Sequence, residues 1–219
     1  MIETNEKNIK NHDDKTASSS KRRKFSKQKN QNLANSLIGK CLVYIGNDES
    51  SMFHKSVVYV TDCKNDIIQG IMINKLLFGT AAIECKDRDD KNGALQQVYE
   101  DLYQGGPENP AHGFVLFPKD EISEADPFAE VHGDIAISTS FGILQEILDG
   151  IGPSRKIIAM GHCLWHRGEL EWEIFNNQWL IVPSDLHIIF DTAFQDRWDK
   201  ARAASGVKME TFIPQIGLA

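Results

Sequence analysis

From Leu33 onward the chain alternates short, β-branched apolar runs with clusters of turn-forming residues. Residues 37–45, 56–61 and 67–74 each have the length and the Val, Ile and Tyr content of a strand. Polar punctuation at 46–51 and 62–66 separates them, so the second and third runs predict a hairpin with a loop of about five residues. Gly70 inside the third run points to a bulge or to the close approach of another backbone. Further along, residues 113–117 and 134–138 read as strands, the first stopped by Pro118. Residues 156–160 read as a strand running into Gly161, and 178–182 as the last of the set.

Helical spacing occurs in fewer places. Leu95, Val98, Tyr99 and Leu102 recur at intervals that predict a helix ahead of an irregular turn over 104–110. Two glycines and two prolines exclude a regular element in that turn. Residues 141–150 predict a helix capped by Ser140 and stopped by Gly150, with Phe141, Leu144 and Leu148 on its apolar face. Residues 169–175 predict another, with Leu170 and Ile174, and Trp172 and Phe175, as packing pairs and Arg167 reaching Glu171 one turn on. Pro183-Ser184-Asp185 opens a short helix, and residues 196–204 form the last. There is no internal repeat, so residues 33–219 read as one domain.

Composition changes this picture at one end only. With 41% hydrophobic and 25% charged residues the chain is an ordinary globular mixture. No apolar run reaches the roughly 18 residues of a membrane helix. The net charge of −7 divides into +5 over residues 1–32 and −12 over the rest. The large apolar residues of that first stretch are Met1, Ile2, Ile9 and Phe25, too few to offset the entropy of ordering it, so 1–32 reads as a disordered basic tail. Lys21, Arg22, Arg23 and Lys24 within it can neutralise phosphates, although a solvated extension is the commoner role of such a run. Cys41, Cys63, Cys85 and Cys163 include no CxxC pair, and the chain start has acids but no apolar leader region. The expected compartment is the cytoplasm.

The densest chemistry lies between Gly161 and Glu173. His162 and His166 are four apart, which on a helix would put both rings on one face, as in a two-histidine metal site. The glutamate that should follow the first histidine is absent, and Gly161 and Gly168 bracket the pair, so solvated or hydrogen-bonded histidines are the simpler reading. Cys163 between them invites a thiolate reading, yet chain neighbours on a strand point to opposite faces and cysteine is commonly a small buried hydrophobe. Glu169 and Glu173 share a helical face and could do acid–base work or hold a hard cation, whereas the packing pairs beside them leave both facing water. Gly105-Gly106-Pro107 could offer N–H groups to an anion, but it has neither GxGxxG nor GK[ST] spacing, and a tight turn is the plainer role. GxSxG is absent, and an acidic body with strands between its helices does not suit a helix-turn-helix. No cofactor is implied.

Taken together these segments resemble the bacterial AlgH/YqgE family. Residues 39–45, 56–60 and 69–75 resemble its opening, and Tyr103-Gln104-Gly105-Gly106-Pro107 followed by Gly113-Phe114-Val115-Leu116 its central GGP segment. Residues 161–180 resemble its signature G-Y-x-G-W-x-x-G-Q-L-E-x-E-I-x-x-N-x-W-L, and Arg197-Trp198 with Gly206 its tail. The resemblance implies an α+β fold: a single domain with a branched, partly barrel-like, mainly antiparallel sheet flanked by helices. It implies no established activity; the family carries a transcriptional-regulator label without a recognised DNA-binding motif. This chain departs from the pattern at His162, Cys163, Leu164 and His166, has Glu169 for the usual Gln, and Leu76 for a proline.

The function expected from all this is a non-enzymatic regulatory or interaction domain of the cytoplasm. Its surface for a protein or small-molecule partner would lie around Gly105, Gly106, Pro107, Trp165, Gly168 and Glu171, with Trp165 or Trp172 as anchors where exposed. The alternative is a metal-assisted or thiol-dependent enzyme using His162, Cys163, His166 and Glu169. A third is nucleic-acid contact through the basic tail.

Overall fold

Strands β1 (Lys40–Tyr44), β2 (Val57–Lys64) and β3 (Ile67–Met72) are the first three apolar runs, joined antiparallel in chain order. Nearly every position of β1 and β2 is buried, so both faces of these strands are covered, as their unbroken apolar sequences require. The β2–β3 hairpin is tighter than the expected five-residue loop. It turns on Asn65 and Asp66, both at positive φ (51° and 65°), the geometry that suits strand twist in a two-residue turn. Opposite Gly70 the register slips between Val60 and Asp62, and a Cβ at Gly70 would lie 2.5 Å from Val58 Cγ1. Both the bulge and the close approach signalled by that glycine are present. The computed structural model describes residues 36–86, 95–123, 126 and 129–206. The basic tail and the charged loop expected at 87–93 lie outside the described residues.

β4 (Leu76–Lys86) and β5 (Leu95–Gln104) pair antiparallel. The helix expected over 95–102 is therefore a strand, and β4 has no counterpart among the elements read from the sequence. β6 (Glu108–Pro118) begins five residues earlier than expected, so the irregular turn shrinks to Gly105-Gly106-Pro107. β7 (Glu130–His132) and β8 (Ile135–Ser138) form a short hairpin on β6. β9 (Ile157–His166) does not stop at Gly161 but continues to His166, and β10 (Trp179–Pro183) closes against β1. The order is β10-β1-β2-β3-β9-β6-β8-β7, mainly antiparallel, with β4 and β5 branching from β9.

The branch follows from how edges of β9 are shared. β6 runs antiparallel along one edge, pairing Phe114 with Ala159 and Val115 with Ile158. β5 pairs parallel at the same positions, Leu102 with Ile158 and Tyr103 with Ala159, and so takes the other edge. Beyond Gly161 that second edge passes to β3, which pairs with Cys163 through His166. The chain from β5 to β6 must therefore cross β9. It does so at Gly105-Gly106, backbone on backbone: a Cβ at Gly105 would lie 2.1 Å from Gly161 O, and one at Gly106 2.1 Å from the His162 carbonyl carbon. Gly161, at φ +73°, completes the crossing. Gly105 N–H donates to Met160 O and its carbonyl accepts from Met72 N–H, each at 2.7 Å, which ties β9 to β3 at the fork.

Helices cover the sheet. α1 (Phe141–Leu148) is capped as expected, Ser140 Oγ accepting from Ile143 N–H, and it buries Ile143 and Ile147 against Val115, Phe117 and Ile158. Phe141, assigned to the apolar face by its spacing, is instead 62% exposed. α2 (Arg167–Phe175) follows β9 directly. The short helix expected after Pro183 is a single π-helical turn, His187–Asp191, with Asp185 Oδ1 accepting from His187 and Ile188 N–H. α3 (Arg197–Ala204) packs Ala201 into the main core with Tyr59, Ile71, Leu116 and Ile157. The fold is α+β, as the family resemblance implied.

Candidate functional site

The segment 161–175 that looked densest in chemistry is split by β9 and α2 into a buried half and an exposed half. On β9 the residues alternate: Cys163 and Trp165 are buried, Leu164 and His166 exposed. His162 and His166 thus sit on a strand and not on a helix, and their surroundings differ. His162 is 7% exposed, edge-on to Phe114 (centroids 5.6 Å), which also meets His112 (4.8 Å). Its Nδ1 has no hydrogen-bond partner. Desolvation, helped by the neighbouring His112, holds its pKa below the usual imidazole value, while Glu108 pulls the other way. Cys163 is fully buried, its Sγ–H donating to Gly105 O at 3.4 Å, and burial pushes the thiol up to about 12. That sulfur is a protonated packing group, with Gly105 and not histidine as its neighbour. Among the described residues no three of His, Cys, Asp and Glu converge as metal ligands would.

Trp165 is 3% exposed and belongs to an aromatic cluster. It stacks on Phe53 at 5.4 Å and meets Trp179 edge-on at 5.8 Å, with Tyr44 5.1 Å from Trp179. It cannot be a docking anchor. Trp179 Nε1–H donates to Glu173 Oε2 at 2.7 Å, so Glu173 is a bonded, half-buried carboxylate and not the solvated one expected. Burial raises its pKa even though the indole bond lowers it. Arg167 does not reach along its helix to Glu171. It is 7% exposed and pairs with Asp66 Oδ1 at 2.8 Å, while its N–H donates to the Asp66 carbonyl, fastening the start of α2 to the β2–β3 turn. Glu171 is partly buried, with an unpartnered Oε1.

The remaining candidates separate by exposure. Gly105 and Gly106 are buried in the crossing, while Pro107 and Gly168 are at the surface. Trp172 and Phe175, expected to pack as a pair, are 61% and 84% exposed. With Gly168 and Glu169 they make an outward stripe on α2 at spacings of three and four.

A second feature went unseen in the sequence. A cleft of about 580 Å³ opens where β5, the start of β9, the π-helical turn and α3 meet, lined by residues including Glu100, Asp101, Tyr103, Lys156, Phe194 and Arg197. Arg197 is 4% exposed: Nε donates to Thr192 O at 3.0 Å, Nη1 to Ile73 O, and the guanidinium lies 5.1 Å from the Tyr103 ring centroid. Lys156 Nζ pairs with Glu100 Oε1 at 2.9 Å. These residues lie 97 positions apart at the extremes, and although Tyr103, Lys156 and Arg197 fell in stretches that the sequence singled out, nothing there brought them together.

Comparison with known proteins matches the AlgH-like family model over residues 42–210. A UPF0301 protein of Pseudoalteromonas translucida is 31% identical over 182 residues, covering 81% of this chain and 96% of that one. A UPF0301 protein of a Polaromonas species is 34% identical over 180 residues, covering 78% and 89%. The solution structure of the AlgH protein from Pseudomonas aeruginosa superposes with a TM-score of 0.58 at 27% identity, covering 83% of this chain and 95% of that one. A crystal structure of a Corynebacterium diphtheriae protein, 19% identical, shares the fold at a TM-score of 0.55 over 74% and 83%.

Proposed function

The chain belongs to the AlgH-like family, and from that premise we propose that it is a non-enzymatic regulatory or interaction domain of the cytoplasm whose docking face is the outer stripe of α2. One observation carries this reading: Trp172 and Phe175 stand exposed, three positions apart, on a helix whose Leu170 is buried and Ile174 partly buried. A large aromatic pair left in water gains free energy whenever a partner covers it, and such rings dominate interface energetics. Gly168, where an added Cβ would meet nothing within 4 Å, leaves room for a partner to approach the first turn. Pro107, at the exposed end of the glycine crossing, extends the proposed surface. The thiol alternative draws no support from a Cys163 that is buried and protonated. No helix among the described residues is long and apolar enough to cross a membrane.

The double variant Trp172→Ala, Phe175→Ala tests the reading. It removes side chains that touch little of the fold, so the expected change in stability is under about 0.5 kcal/mol. A partner recovered with the wild-type chain should lose affinity by at least tenfold, about 1.4 kcal/mol, measured by calorimetry with the purified pair. Undiminished affinity in the double variant overturns the assignment of this face.

A further inference from the structure

The cleft beside Arg197 shares no residue with the α2 stripe and has a chemistry of its own. Its lining carries both signs: Glu100 and Lys156 pair at 2.9 Å, Asp191 meets His187 at 3.3 Å, and the Arg197 guanidinium donates to the neutral Thr192 and Ile73 carbonyls. Asp101 lies in the field of Arg197 and favours its charged form. With Glu100, Asp101 and Asp191 beside Lys156 and Arg197 in one lining, neither sign of ion is favoured throughout. A hydroxyl group would find a great deal. Each carboxylate keeps spare lone pairs and Lys156 keeps spare N–H donors. Phe190 and Phe194 supply apolar ring surface in the same lining, against which C–H groups can pack.

The walls are also held in place, as a binding site needs. Arg197 and Thr192 are both 4% exposed, and the guanidinium clamps three elements at once: the end of β3 through Ile73, the end of the π-helical turn through Thr192, and β5 through the Tyr103 ring. Phe194 meets Tyr103 edge-on at 6.5 Å. A π-helical turn is a costly local geometry that recurs at functional sites, and here its last residue, Asp191, is part of the lining. The volume of about 580 Å³ falls within the range of small-molecule sites.

We propose that this cleft binds a neutral polyhydroxylated ligand, a mono- or disaccharide, with its hydroxyls on the Glu100, Lys156 and Asp101 groups and its C–H face on Phe190 and Phe194. The proposal is independent of the α2 docking face, since variants at one site leave the other intact. Glucose and maltose are the probes, titrated into the full-length chain and followed by amide shifts in two-dimensional NMR, with choline chloride as the cationic comparison. The expected result is saturable shifts confined to residues 100–103, 156–158 and 190–197, with an affinity unchanged between low and high salt because no ion pair forms on binding. Lys156→Met, which keeps the aliphatic stem, and Glu100→Gln, which keeps the shape, should each weaken saccharide binding by about tenfold while the thermal midpoint stays close to wild type. Phe194→Ala should abolish binding, and its thermal melt shows whether the fold survives. No saturable shift with either sugar, binding indifferent to Lys156→Met and Glu100→Gln, or preferential and salt-sensitive binding of choline would each overturn the proposal.

Discussion

His162 shows what a single buried polar ring does to the molecule. It sits against Phe114 with an unpartnered Nδ1, and burial lowers its pKa relative to the ordinary 6.5. The sign follows directly. Above 6.5 the ring is neutral folded or unfolded and the two states take up no different number of protons. Below it the unfolded chain binds a proton that the folded chain resists, so stability falls as pH drops through the interval between the two pKa values. The neighbouring Glu108 opposes this and His112 reinforces it. His162→Gln should flatten the loss of urea midpoint between pH 7.5 and 5.5 compared with the wild type; an identical slope would show that the ring titrates alike in the folded and unfolded chain. None of this was legible in the sequence, where the simpler reading of His162 and His166 was solvated or hydrogen-bonded rings. Spacing gives the face of an element but not what covers that face, and the same gap hid the burial of Trp165 and the exposure of Trp172. The serine cap fared better, because Ser140 acts on backbone within a few residues of itself, whereas the Gly105-Gly106 pair, read as a tight turn, answers to distant backbone at Gly161 and His162.

Elements were legible where their environment is local and misread where it is not. The spacing of Leu95, Val98, Tyr99 and Leu102 suits a helix, and suits equally a strand carrying apolar residues at both parities. What decides for a strand is pairing on both edges, antiparallel with β4, which was itself not read as an element, and parallel with β9, which is distant in sequence. Likewise β9 runs past Gly161 because that glycine is needed inside the strand, under the crossing, and not as its end. The crossing makes a sharp prediction. Gly106→Ala would place a methyl 2.1 Å from the His162 carbonyl carbon, against backbone that cannot rotate away. Either β9 shifts off β6 or the β5–β6 connection lifts, and the cost should be about 3 kcal/mol, at the upper end for ordinary substitutions. For a chain of this size that lowers the thermal midpoint by roughly 6–12 °C. Pro107→Ala, one residue on and exposed, should change it little, and equal losses at the two positions would show that the glycine is not placed by the crossing.

At the scale of the whole molecule the dominant fact is the division of charge, +5 over residues 1–32 and −12 over the rest. The comparisons account for the acidic part, since the family match spans 42–210, and leave the basic segment as a feature of this chain. An acidic body repels polyanions, so any nucleic-acid contact must come from the tail, and principally from Lys21, Arg22, Arg23 and Lys24. Four neutralised phosphates on a single strand imply a log–log salt slope of about −3, and the repulsion from the body keeps the affinity weak even at low salt. A fluorescently labelled poly-uridine, titrated at several salt concentrations with the full chain and with residues 1–32 deleted, separates the possibilities. Tail-borne binding falls steeply with salt and vanishes on deletion. Binding that survives deletion, or that salt leaves unchanged, would move the contact onto the folded body and would require a recognition surface that its net charge of −12 argues against.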